Sequence, residues 1–142
     1  MRKRTKAREF ALQILYQIDI TKSDAGSTIE DFWKNREIDT EGVVKEFAEG
    51  IILGVIEHKD EIDKAISEAA ENWELGRMAV VDRNILRMTT YELLHRQDIP
   101  PKVSINEAIE IAKKYGDRDS GKFVNGILDK INKTKRSYAE KG

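Results

Sequence analysis

The sequence predicts an all-α fold, and three observations carry that prediction. Apolar residues recur at helical spacing along nearly the whole chain, strand-like alternation is almost absent, and the only two prolines are adjacent, at Pro100 and Pro101. With 142 residues and 16.3 kDa, the chain fits a single domain that can bury a core without metals or disulfides.

About seven helices are expected. The first spans about Thr5 to Ile20, with Ala7, Phe10, Ala11, Ile14 and Ile18 on one stripe that Leu15 widens. A Ser/Asp/Gly-rich loop at Ser23 to Ser27 follows, and Ile29, Phe32 and Trp33 mark a short second helix. Val44, Phe47, Ala48, Ile51, Ile52 and Val55 define a third, and Ile62, Ala65, Ile66, Ala69 and Trp73 a fourth; whether His58 to Asp60 separates them is left open. From Met78 to Arg96 apolar residues spread around the wheel, as in a central, buried helix. Pro100-Pro101 forces an extended turn. Ser104 and Glu107 are spaced as a capping box for the sixth helix, and Gly116 is placed to end it in a left-handed conformation. The last helix starts near Ser120 and buries Val124, Ile127, Leu128 and Ile131, with Gly126 admitting a close neighbour. A basic, frayed tail is expected after about Lys133.

The absence of cysteine excludes thiol chemistry, cysteine zinc sites and disulfides. No segment approaches the roughly 20 apolar residues that cross a bilayer, and the basic N-terminus lacks the apolar run of a secretory signal, so a cytoplasmic protein is expected. The net charge of −1 conceals an uneven distribution: +5 from Met1 to Arg8, −9 from Glu30 to Glu74 and +5 from Lys113 to Gly142.

Catalysis finds little support. Gly116 to Lys122 spells most of a phosphate-binding loop, but Phe123 stands where a magnesium-binding Ser or Thr belongs, and a helix precedes it instead of a strand. The two histidines, His58 and His95, lack metal-ligand spacing and read as surface residues. Asp82-Arg83 and Asp63-Lys64 read as solvated or paired surface charge, and Trp33 and Trp73 as packing residues.

Binding finds more. Arg2, Lys3, Arg4, Lys6 and Arg8 form a basic run that can neutralise phosphates, or else a solubilising end. Tyr16 lies opposite the Ala7, Phe10, Ile14, Ile18 stripe, where it can stack on an unpaired base. Phe123, next to Lys122, is either core or a second stacking platform.

Four separated segments, Arg8 to Tyr16, Val80 to Leu94 (with Asp82), Ile105 to Glu110 and Lys122 to Leu128, resemble the bacterial transcription antitermination protein family NusB. The resemblance implies two small packed helical bundles in one 1–142 domain that binds boxA RNA together with the ribosomal protein NusE. It also implies support of RNA polymerase readthrough, notably in ribosomal RNA operons. By the same resemblance Arg2, Lys3, Arg4, Lys6, Arg8, Tyr16 and Phe123 fall on the RNA surface, where Lys122 beside Phe123 is a further candidate, and Asp82 and Asp119 fall on the partner face. No enzyme activity, cofactor or membrane contact is implied. Two alternatives remain: an interaction module that does not read RNA, and an RNA methyltransferase, for which the chain offers neither a Rossmann-like domain nor a glycine-rich cofactor loop.

Overall fold

The computed structural model describes residues 2–34, 36 and 42–136, and among them there are seven α-helices and no strand. Helix α1 (Lys3–Thr21) starts two residues before the expected Thr5 and ends where Lys22 adopts a left-handed conformation, φ 58°, returning its N–H to the Ile18 carbonyl. Most of the expected loop is helical, because the Asp24 carboxylate accepts from the backbone N–H and the hydroxyl of Ser27 and starts α2 (Ala25–Lys34) early. Phe32 and Trp33 of α2 meet Phe10 of α1 edge to face at ring-centroid distances of 5.7 and 5.5 Å, and each other at 5.1 Å.

Helices α3 (Gly42–Glu57) and α4 (Lys59–Ala69) are separate, broken at His58. Trp73 lies beyond α4, before a 3₁₀ turn at Leu75–Arg77, and is 56% exposed, so the expectation of a packing residue fails there. Its indole lost the helical register that suggested burial when α4 stopped at Ala69.

Helix α5 (Val80–His95) is the central helix its all-round apolar pattern predicts, packed against α1, α3, α4, α6 (Pro101–Tyr115) and α7 (Ser120–Ile131). It crosses α3 closely where the Tyr91 ring covers Gly54; a Cβ at position 54 would overlap that ring. A buried charge node reinforces the packing. Asp19 at the end of α1 accepts hydrogen bonds from Arg83, Asn84 and Arg87 at 2.9, 2.9 and 3.2 Å, while Arg87 also grips Asp63 of α4 with two bonds of 2.8 and 3.1 Å.

Three local expectations are overturned. Helix α6 begins at Pro101 with proline at its first position, so Ser104 and Glu107 lie inside the helix and form no capping box. Gly116 is extended (φ −90°, ψ −165°) and not left-handed; it is required because the Ser120 side chain occupies the space a Cβ would take. Among the described residues nothing lies within 4 Å of a Cβ at Gly126, so no neighbouring helix approaches it there. The tail stays ordered past Lys133 through a π-turn at Asn132–Arg136, where the buried Arg136 donates to the carbonyls of Ile99 and Gln97. The remainder of the expected frayed tail, 137–142, lies outside the described residues.

Candidate nucleic-acid interface

The basic run divides at its last member. Arg2, Lys3 and Arg4 are exposed at the start of α1, and Lys6 is half-buried with its ammonium 5.7 Å from the Phe10 ring centroid. Arg8 is 3% exposed, and its guanidinium donates to both carboxylate oxygens of Glu92 at 2.8 Å. Glu92 also accepts the Ser104 hydroxyl at 2.7 Å, and Glu107 lies 3.6 Å from Arg8 while taking the Thr5 hydroxyl at 2.7 Å. The residues expected to cap α6 therefore satisfy an ion-pair network between α1, α5 and α6. Arg8 is withdrawn from the set expected to touch phosphate: it holds the base of the arm. The sequence carried the signal, because Arg8 shares a helical face with the buried Ala11, Leu12 and Leu15.

Above this network the exposed cations gather at one end of the molecule. Arg2 reaches within 3.8 Å of Glu107, and Arg4 lies 4.7 Å above the Phe47 ring centroid. Arg96 covers the same ring at 5.2 Å, held by a two-bonded pair with Asp98 at 3.0 and 2.9 Å. Arg4 and Arg96 line a cleft of about 380 Å³ with Val43, Glu46, Phe47 and Gly50. Arg96 joins the candidate residues from a distant segment that no local pattern marked.

Tyr16 is 40% exposed, about 18 Å along α1 from Arg4 by helix rise. At the start of α7 Lys122 is exposed, while Phe123 is half-buried, packed against the core and edge-on to Trp73 at 5.6 Å. Of the two readings offered for Phe123 the structure shows the packing one, since the ring lies against the core and beside the exposed indole.

The two acidic candidates differ. Asp119 is exposed immediately before α7. Asp82, expected as solvated or paired charge, is buried in the first turn of α5, and its Oδ1 has no hydrogen-bond partner among the described residues. Burial raises its carboxyl above the usual range and the nearby Asp117 charge adds to this, against a hydrogen bond from Ser120. His58 and His95, separate in sequence, stack on each other at 3.8 Å.

Residues 5–133 match the model of the NusB family. The chain is 52% identical over 129 residues to the transcription antitermination protein NusB of Anaeromyxobacter dehalogenans (strain 2CP-1), covering 91% of this chain and 89% of that one. It is 48% identical over 141 residues to the protein of the same name from Desulfitobacterium hafniense (strain DSM 10664 / DCB-2), covering 98% and 94%. The fold is similar to that of T. maritima NusB, with TM-score 0.84, 42% identity and 94% and 92% coverage. It is also similar to a chain in a crystal structure of antitermination factors NusB and NusE in complex with double-stranded RNA, with TM-score 0.84, 30% identity and 94% and 98% coverage.

Proposed function

The chain belongs to the NusB family of transcription antitermination proteins, and on that premise we propose that it binds boxA-type single-stranded RNA jointly with the ribosomal protein NusE. It is a non-catalytic antitermination factor; it acts in the cytoplasm and helps RNA polymerase read through, notably in ribosomal RNA operons. No helix among the described residues is long and apolar enough to cross a membrane.

The observation that carries the RNA reading is the sorting of the basic run. Arg2, Lys3 and Arg4 stay exposed at one end while Arg8, beneath them, is consumed by Glu92 and Glu107. A cationic arm on a rigid base suits phosphate contacts, which supply affinity and register. Tyr16, Phe123 and Lys122, further along the molecule, would add base stacking and charge. Asp82 and Asp119, at the adjoining starts of α5 and α7, would mark the NusE face, Asp119 as an exposed charge open to a cationic or N–H donor and Asp82 from beneath the surface.

The reading is tested by binding of boxA RNA, a scrambled RNA of equal length and an RNA duplex, with and without NusE, across a salt series. Preference for boxA that NusE widens supports it. Equal binding of all three that disappears with salt leaves a protein-interaction adaptor with a counter-charged arm. Preference for the duplex would replace base reading by shape recognition.

A further inference from the structure

The chain has two histidines and no cysteine, and the fold brings both histidines together. Their rings stack with centroids 3.8 Å apart and planes 18° apart. His58 occupies the break between α3 and α4, Glu61 the first turn of α4, and His95 the last position of α5. The Glu61 carboxylate touches both imidazoles: it is hydrogen-bonded to His95 Nε2, and its Oε1 lies 3.9 Å from His58 Nδ1. One donor atom from each of the three residues falls within 4.8 Å of the others.

We propose that His58, His95 and Glu61 form a binding site for a divalent transition-metal ion of the zinc type, clamping the start of α4 to the end of α5. Two imidazoles and one carboxylate form a donor set that suits zinc and not magnesium or calcium, which take oxygen donors. Bonds of about 2.0–2.2 Å to a tetrahedral ion place donors roughly 3.3–3.6 Å apart, so the cluster must contract by about 1 Å. The ring planes must also turn out of their stack, because a ligated ion lies in the plane of each imidazole. All three residues sit at element ends and are partly exposed, which leaves them that freedom. Tyr91 packs beside both rings, with centroids 6.4 and 5.8 Å away, and limits them to one side. Glu57, 3.9 Å from His58 Nε2, adds negative charge beside the ion, and water completes the coordination. The site is independent of the RNA reading.

The test uses the full chain after dialysis against a chelator, titrated with zinc chloride by calorimetry, with nitrogen-15 histidine spectra recorded alongside. One ion per chain is expected, with ring-nitrogen signals of both histidines shifted and a melting temperature that rises with zinc. His58→Gln and His95→Gln should each weaken binding about tenfold or more, and excess magnesium should not compete. Since the chain has no other imidazole, unchanged affinity in both variants would assign the ion to surface carboxylates and overturn the site. So would the absence of saturable binding, a shift of only one histidine, or one ion per two chains. Should a variant fail to fold by circular dichroism, the ring-nitrogen spectra of the unsubstituted protein decide alone.

Discussion

Arg8 grips Glu92 through two 2.8 Å hydrogen bonds between the first helix and the central one, with both side chains almost fully buried. The pair turns a residue that sequence assigns to the RNA arm into the arm's foundation. Removing one partner of a buried pair leaves the other charge uncompensated, so Arg8→Ala should destabilise the fold by about 3 to 5 kcal/mol in urea unfolding. Arg4→Ala, at an exposed position, should change stability by about 0.5 kcal/mol or less. Equal effects of the two would show that the buried pair does not anchor α1.

RNA binding should respond in the opposite order. Arg2→Glu with Arg4→Glu is expected to weaken boxA binding sharply at low salt and to flatten the salt dependence by about 0.7 for each phosphate the arm no longer neutralises. The measurement is affinity at several salt concentrations, with unfolding midpoints recorded as a control. Unchanged affinity would remove the arm from the RNA surface.

Tyr16 is exposed on α1, away from the core. Tyr16→Ala should cost about 1 to 3 kcal/mol of RNA affinity if a base stacks there, with little change in thermal stability. Phe123→Ala should lower both quantities, because Phe123 packs against the core as well as bordering Trp73.

Two glycines predict opposite signs. Gly54→Ala places a methyl group into the Tyr91 ring and should destabilise by about 1 to 3 kcal/mol through overpacking. Gly126→Ala meets none of the described residues and should stabilise α7 by roughly 0.5 to 1 kcal/mol through helix propensity. Thermal unfolding of both variants checks the pair, and a stabilising Gly54→Ala would contradict the close crossing of α3 and α5.

Two carboxylates set opposite pH dependences. Burial alone would raise the Asp19 carboxyl, but hydrogen bonds from Arg83 and Asn84 and the charges of Arg83 and Arg87 outweigh it and lower it from 3.8 to about 2. Its folded value is depressed, so its stabilisation is present above pH 3.8 and is lost as pH falls through about 2. Burial raises the Asp82 carboxyl, so its ionised form weakens the fold as pH rises through its folded value. Asp82→Asn should therefore stabilise at neutral pH by on the order of 1 kcal/mol. It should weaken NusE binding at the same time. Unfolding at pH 2 to 7 and partner titration separate the two effects, and unchanged or tighter partner binding would exclude Asp82 from that face.

Much of this molecule was legible as pattern. Helical periodicity located the seven helices, the all-round apolar segment marked α5 as central, and the wheel position of Tyr16 put it outside the core. These properties are local: spacing along one helix fixes which side chains share a face, and hydrophobic burial then turns that face inward.

What the sequence left undecided depends on residues that meet only after folding. Ser104 and Glu107 have the spacing of a cap, but Pro101 starts α6 first and leaves them free to satisfy Arg8 and Glu92. Gly116 has the position of a left-handed terminus, but its need comes from the Ser120 side chain. Arg96 joins Arg4 over the Phe47 ring, and His58 reaches His95, through the packing of α5 against its neighbours, which no spacing within either segment encodes. By itself the sequence determined an all-helical protein of the NusB type with a basic N-terminal arm. The tertiary structure alone decided which of its charges are buried structural partners and which remain in solvent, because a charge in a low-dielectric interior is retained only where the packed fold delivers its counter-ion.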